Sequence, residues 1–407
     1  MTNHYFYFNR VILNDKIGYH ALPQGELMKR IVSILGARPQ FIKAAAVSRK
    51  IAESSKFTED IIHTGQHFDK KMSEVFFNEM ELPKPSVNLG ISRGSHGNMT
   101  GRMMIALEKE LLENPPDCIL VYGDTNSTLA GALTGAKLHI PVAHVEAGLR
   151  SYNRAMPEEL NRIIVDWLSV LLFCPSKMSA KNLKSERMGV KGLDATIGSK
   201  AFAHTPEIVV TGDVMVDTIR IFREKASVKR KLLDNLGIKP GSYILATVHR
   251  EENTDKPETI ISIAHAFKLL AEGGTPVVLP IHPRTRKFIE QNDIVFPKGV
   301  IITEPVSYLE MLMLIENSIC ILTDSGGIQK EALIIGRPCV TLRTETEWTE
   351  TVDTGWNIVA GVKSDRILEA YHTVRNHASH EKEPPQGIYG DGHAADRIIK
   401  ALEKRFC

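Results

Sequence analysis

Beginning at Met28, short apolar runs rich in β-branched residues alternate with longer amphipathic stretches, and this alternation limits the possible folds more than any other feature. IVSILG leads into PQFIKAAAVSRKIAES, DIIHTG into DKKMSEVFFNEM, and CILVYGD into STLAGALTGAKLH. PVAHVEAG then precedes EELNRIIVDWLSV, and LLFCPS precedes a polar helix. Such a pattern belongs to βαβ units and a parallel sheet. ILVYG is apolar almost without interruption, as expected of a strand covered on both faces. Around residues 189–207 the rhythm breaks into a stretch rich in Gly, Ser and Thr. It restarts with EIVVTGD, SYILATVH, TPVVLPIH, GVIITEP, ICILTDSGG, PCVTLR and NIVAG. Two α/β halves in 407 residues predict two Rossmann-like domains facing a cleft. The expected division is residues 28–205 and 206–380, with 381–407 a connection and a C-terminal helix packing back on the first domain. Residues 1–27 lack the continuous apolar stretch of a signal peptide and are expected to lie outside the fold.

Lysine plus arginine (50) nearly balance aspartate plus glutamate (48), leaving a net charge of +2 and no electrostatic support for nucleic-acid binding. No apolar run approaches the roughly 20 residues that cross a bilayer, so membrane insertion is not expected. The five cysteines are widely spaced and form no CxxC pair, which argues against a disulfide framework and fits a cytoplasmic chain.

Open α/β sheets bind ligands just beyond the carboxyl ends of their strands. Ionisable groups recur at such ends: Arg38 after ILGA, Asp124 after ILVYG, Glu146 after PVAHV, His249 after ILATV, His282 after VVLPI and Asp324 after ICILT. Any one of them has a simpler explanation as a helix cap; Asp124 could cap STLAGAL, and Asp324 or Ser325 could cap GIQKEALI. Recurrence in both halves weakens that explanation for the set. If the strands before Asp124 and Glu146 are neighbours, both carboxylates enter one crevice, and Glu158, opening the next helix, brings a third. Mutual repulsion would raise the proton affinity of at least one, which suits a group that takes and returns protons. Carboxylates also hold magnesium. The chain has no DxD sequence, however, and no metal is expected.

The phosphate signal lies in the second half, where ICILTD runs into Ser325-Gly326-Gly327 and the helical IQKEALI. Glycines let backbone approach a ligand, and a helix N-terminus offers free amides to an anion. Glu331, early in that helix, is positioned to accept hydrogen bonds from ribose hydroxyls. GxGxxG and GxxxxGK[ST] are both absent, which disfavours an NAD-dependent enzyme or a P-loop NTPase.

In order along the chain, GARPQFIK, GDTNST, HVEAGLRS, MPEELNR, HREEN and TDSGGIQKEA resemble the non-hydrolysing UDP-N-acetylglucosamine 2-epimerases, over essentially residues 28–405. The resemblance implies a glycosyltransferase-B-like architecture, a homodimer, no redox cofactor and a part in making surface-polysaccharide precursors. It implies elimination of UDP to a 2-acetamidoglucal, followed by re-addition with inversion at C2. Asp124, Glu146 and Glu158 are then the acid/base carboxylates, their individual roles unresolved. Arg38, Lys43 and His249 would meet the diphosphate, with His249 counted among the catalytic groups. Arg150, His282 and Arg284 would join the substrate-binding set, and Ser325, Gly326, Gly327 and Glu331 would anchor UDP.

Two departures bear on the substrate. Gln66-His67-Phe68-Asp69 replaces the Gln-His-Arg-Glu of the enzymes activated by their own substrate. Trp348 follows Arg343-Thr-Glu-Thr-Glu347, where the main family has Arg-Pro. Both variants look like the branch acting on UDP-2,3-diacetamido-2,3-dideoxyglucuronate. They leave the sugar open between the two, and allosteric activation by UDP-N-acetylglucosamine open with it.

Overall fold

The computed structural model describes residues 28–66, 77–186, 205–281, 283–381 and 383–407. Outside these residues lie the N-terminal segment 1–27, the His67-Phe68-Asp69 run, residues 189–204 of the Gly/Ser/Thr-rich stretch, and His282. The side chain of Arg284 lies outside as well.

The first sheet is built from β1 (Lys29–Leu35), β2 (Phe57–His63), β3 (Val87–Asn88), β4 (Cys118–Tyr122), β5 (Val142–Val145), β6 (Leu171–Cys174) and β7 (Glu207–Val210). Its order is β3-β2-β1-β4-β5-β6-β7, with every pairing parallel. The second comprises β8 (Ile244–Thr247), β9 (Val277–Pro280), β10 (Val300–Thr303), β11 (Cys320–Thr323), β12 (Cys339–Thr341) and β13 (Asn357–Val359). These run in the order β10-β9-β8-β11-β12-β13, again all parallel. Each sheet therefore has the doubly wound order, which reverses direction between its first and fourth strands. That reversal sets Arg38 and Asp124 at one switch point, and His249, Asp324 and Ser325 at the other. Every residue of β4 is buried, as its unbroken apolar character requires.

The change of sheet falls later than the sequence pattern suggests. β7 was expected to open the second half, yet it pairs with β6 from Leu171↔Glu207 to Cys174↔Val210 and forms the edge of the first sheet. Its short, half-exposed run looks the same in sequence whichever sheet it joins. The helix Val214–Ser227 then packs on Arg38–Glu53 of the first half and Tyr308–Asn317 of the second. The largest apolar core is accordingly continuous across both halves, from Phe41 and Ile61 through Met215 and Phe222 to Tyr308 and Leu312.

The C-terminal helix Ala394–Phe406 returns to the first half, against Arg38–Glu53. Ion pairs Lys50–Asp396 (3.1 Å) and Lys404–Glu207 (2.7 Å) tie it there. The outgoing and returning segments touch: Asp213 N donates to Tyr389 O at 2.8 Å, and a Cβ on Gly212 would lie 3.0 Å from that same oxygen. Among the described residues no helix is long and apolar enough to cross a membrane.

Candidate active site

At the first switch point, β1 ends at Leu35 and is followed by Gly36 and Ala37 before the helix that begins with Arg38. The buried Gln40 side chain accepts from Gly36 N (2.8 Å) and Ala37 N (3.0 Å), and donates to Tyr122 O (3.0 Å), fixing this turn against the end of β4. A Cβ on Gly36 would fall 2.0 Å from Thr64 Oγ1 and 2.1 Å from Ser127 Oγ, so the turn has no room for a side chain. Burial pushes the Arg38 guanidinium below its ordinary value, with Glu331 opposing.

Asp124 is not a helix cap. Thr125 takes that role, exchanging hydrogen bonds with Thr128. The Asp124 carboxylate is thereby left for Arg162, whose Nη2 lies 2.6 Å from Oδ2. Arg162 Nη1 also reaches Glu159 at 2.8 Å. In the pair Glu158-Glu159, the second residue serves the fold: its carboxylate accepts from Ser151 N (2.9 Å), Ser151 Oγ (3.0 Å) and Tyr152 N (2.9 Å). The Glu158 side chain, half-exposed in the first turn, makes no hydrogen bond or ion pair among the described residues.

β4 and β5 are neighbours, so Asp124 and Glu146 leave adjacent strand ends. Glu146 sits at φ 75, a left-handed conformation unusual outside glycine. It is held there by bonds from Glu146 N (3.1 Å) and Ala147 N (3.0 Å) to Phe173 O. Its nearly buried carboxylate pairs with Lys43 through Oε2 and with Lys330 Nζ through Oε1, at 2.7 Å in the latter case. Lys330 comes from the second half and also pairs with Asp213 Oδ2 at 2.5 Å. Burial alone would raise the Glu146 carboxyl; Lys330 and Lys43 outweigh it and hold the group down to about 2. Asp124 and Glu146 are thus each paired with cations, whereas Glu158 is not, and for Glu146 the cations outweigh the repulsion expected from clustering. Glu331 differs: burial pushes it up to about 7, against the pull of Arg38 and Lys330.

In the second half, Asp324 does not cap a helix either. Its fully buried carboxylate accepts from His249 N (2.9 Å), Arg250 N (3.0 Å) and Asn253 Nδ2 (3.1 Å). It also lies 3.0 Å from His249 Nδ1. Burial would raise this carboxyl, yet His249 and the backbone donors hold it below its ordinary range. The His249 ring is thus fixed through Nδ1 and half-exposed. Ser325 begins the helix Gly326–Ile335 without a side-chain cap, leaving the first amides for an anion. A Cβ on Gly326 would meet Glu347 Oε1 at 2.5 Å and Trp348 Nε1 at 2.9 Å. A Cβ on Gly327 would find only Ser325 Oγ, at 3.9 Å, so the exposed side of the turn is open.

Arg150 is not brought to this group. Its guanidinium lies 2.7 Å from Asp166 and reaches Glu186 at 2.7 and 2.8 Å, and it also donates to Leu149 O at 2.6 Å. Arg162, Lys330 and Asp213 escaped the sequence reading. Arg162 lies in MPEELNR, Lys330 in TDSGGIQKEA, and Asp213 ends EIVVTGD, but nothing in sequence reveals that Arg162 meets Asp124, 38 positions away, or that Lys330 meets Glu146 and Asp213, more than a hundred positions away. Asn153–Glu345 (2.7 Å) and Ser176–Glu350 (2.5 Å) also join the first sheet's loops to those of the second.

Two doubly wound sheets with their switch-point residues drawn together define an α/β protein of glycosyltransferase-B-like architecture. The family model for UDP-N-acetylglucosamine 2-epimerase matches residues 49–403. Among similar proteins, the UDP-2,3-diacetamido-2,3-dideoxy-D-glucuronate 2-epimerase of Pseudomonas aeruginosa is 46% identical over 92% of this chain and 99% of its own length. A UDP-N-acetylglucosamine 2-epimerase homolog of Methanococcus maripaludis is likewise 46% identical, over 92% and 99%. The crystal structure of Methanocaldococcus jannaschii UDP-GlcNAc 2-epimerase in complex with UDP-GlcNAc and UDP superposes with TM-score 0.82 at 38% identity. It covers 92% of this chain and 99% of that one. The chain belongs to the UDP-N-acetylglucosamine 2-epimerase family.

Proposed function

We propose that this chain inverts C2 of a UDP-linked 2-acetamido sugar. The observation that carries the reading is that Glu146, at the strand end next to that of Asp124, is gripped by Lys330 of the helix whose uncapped N-terminus is Ser325-Gly326-Gly327. The C2 proton is not beside a carbonyl and is poorly acidic. Stretching the anomeric C1–O bond places positive character on C1 and makes C2–H removable. A carboxylate takes the C2 proton, the C1–O bond breaks towards UDP, and a C1=C2 double bond remains. In the return step a UDP oxygen adds to C1 and a proton reaches the opposite face of C2. Arg38, Lys43, His249 and the helix amides stabilise the charge that develops on the departing diphosphate, and Glu331 receives the ribose.

Turnover in deuterated water is expected to place deuterium at C2 of both epimers, read by proton NMR. Epimerisation with C2 protium retained would remove the mechanism. Release of free sugar with UDP would mark a hydrolysing enzyme, and dependence on an added acceptor a glycosyltransferase. The Pseudomonas relative and Trp348 favour the diacetamido-glucuronate as substrate over UDP-N-acetylglucosamine. Assaying both sugars side by side in the same spectra decides between them. The proposed setting is synthesis of surface-polysaccharide precursors.

The active form is proposed to be a homodimer. On helix Pro157–Leu168, Leu160, Ile164 and Trp167 are 45%, 40% and 55% exposed, at helical spacing along one face. Ile105 and Leu112 are similarly exposed on His96–Glu113, with Asn126–Lys137 packed between the two helices. Exposed apolar residues gathered on two helices of the same layer mark a protein contact, and a second copy supplies a matching set. Light scattering is expected to give twice the chain mass for the wild type and the single chain mass for Trp167→Glu. A monomeric wild type would reject the dimer.

A further inference from the structure

We propose that Lys330 is a positioning residue: it carries a positive charge from the second domain onto the first-domain carboxylate Glu146, so that closure of the domains holds this carboxylate ionised and aimed. The inference rests on the reading of Glu146 as a proton-transfer group. Lys330 lies on the same helix as the Ser325-Gly326-Gly327 turn, little more than one turn further on. One rigid element thus carries both the diphosphate-binding amides and the ammonium that grips Glu146. Its Nζ is buried between Glu146 Oε1 and Asp213 Oδ2 and lies 3.9 Å from the centre of the Trp348 ring. Two cations, Lys43 and Lys330, face two carboxylates, Glu146 and Asp213. A buried set of this kind is tolerable only when every charge has its partner. Among the described residues, Tyr389 from the returning segment also faces Glu146, and Glu331 on the Lys330 helix faces Arg38, Lys330, Asp213 and Lys43.

Removing Lys330 alone would strand Asp213, so the test pairs the two changes. Asparagine at 213 can still accept from Met215 N, the bond by which Asp213 caps its helix. In Asp213→Asn/Lys330→Met, burial of Glu146 is opposed by Lys43 alone, so the carboxylate protonates at higher pH. The acidic limb of the kcat profile is expected to rise by about 1–3 pH units, the effect of losing one close opposite charge. The UDP inhibition constant should stay near the wild-type value, because the turn is untouched. Asp213→Asn alone keeps the Lys330 charge, and its limb is expected not to rise. A double variant with reduced kcat but an unmoved limb would reduce Lys330 to packing and overturn the proposal. A limb that rises equally in Asp213→Asn alone would also overturn it. Should the double variant fail to fold, Asp213→Asn with Lys330→Gln supplies the same comparison. Wild-type turnover without C2 hydrogen exchange would remove the underlying reading itself, a result distinguishable from an unmoved limb in an enzyme that exchanges.

Discussion

Asp124→Asn is expected to lower kcat by about 10²–10⁴-fold, the usual worth of a positioned proton-transfer group, while UDP continues to bind. Asparagine is nearly isosteric and accepts from Arg162 Nη2 through its amide oxygen, now 2.6 Å from the carboxylate. The substitution therefore removes charge and proton affinity with little change of shape. In the proposed site UDP sits mainly against the opposite domain, where the helix amides after Ser325 and the Glu331 carboxyl are untouched. Isothermal titration with UDP and an NMR assay of C2 exchange separate the two effects. An enzyme that loses UDP affinity and activity in the same proportion would place Asp124 in ligand binding, and one that keeps full activity would remove it from the reaction.

The second large effect concerns stability. Arg150 and Asp166 are both essentially buried, and the Asp166 carboxylate also holds His144 at 2.8 Å and Gly148 N at 3.2 Å. Arg150→Met keeps the apolar stem and strips the charge, leaving a buried carboxylate without its strongest partner. Breaking a buried pair on one side costs about 3–5 kcal/mol, and urea denaturation is expected to show a loss of that order. UDP should still bind the folded fraction with wild-type affinity. If the variant instead unfolds at the wild-type midpoint and binds the UDP-sugar poorly, Arg150 contacts the ligand, as the family resemblance implied.

Much of the architecture was legible because parallel strands buried on both faces have little choice of composition. β4 and β11 announce themselves as unbroken apolar runs, and their ends fall where Asp124 and Ser325 were read as ligand-facing. The edge strand β7 was misallotted, since a short half-exposed run carries no mark of the sheet it joins. The caps were ambiguous for a related reason: Asp124-Thr125 and Asp324-Ser325 each offer two adjacent residues able to cap. Only geometry shows Thr125 capping while Asp124 turns to Arg162, and Asp324 turning back to the His249 loop. The charge pattern on Glu146 was invisible in sequence, because Lys43 and Lys330 are remote from it and from each other. Local spacing could suggest a cluster of acids, and the fold supplied its counterions.

The second domain is joined to the first by two strands of chain that cross side by side, at Gly212-Asp213 and Tyr389-Gly390, and hydrogen-bond as they pass. Paired straps at one location permit rotation about a single line and oppose twisting or sliding. Opening of the cleft is then expected to be a one-dimensional motion, like a book on its spine, with the helix Val214–Ser227 as the packing that must yield. A protease cut in either strap alone would leave the halves attached, and catalytic register could be regained each time the cover shuts.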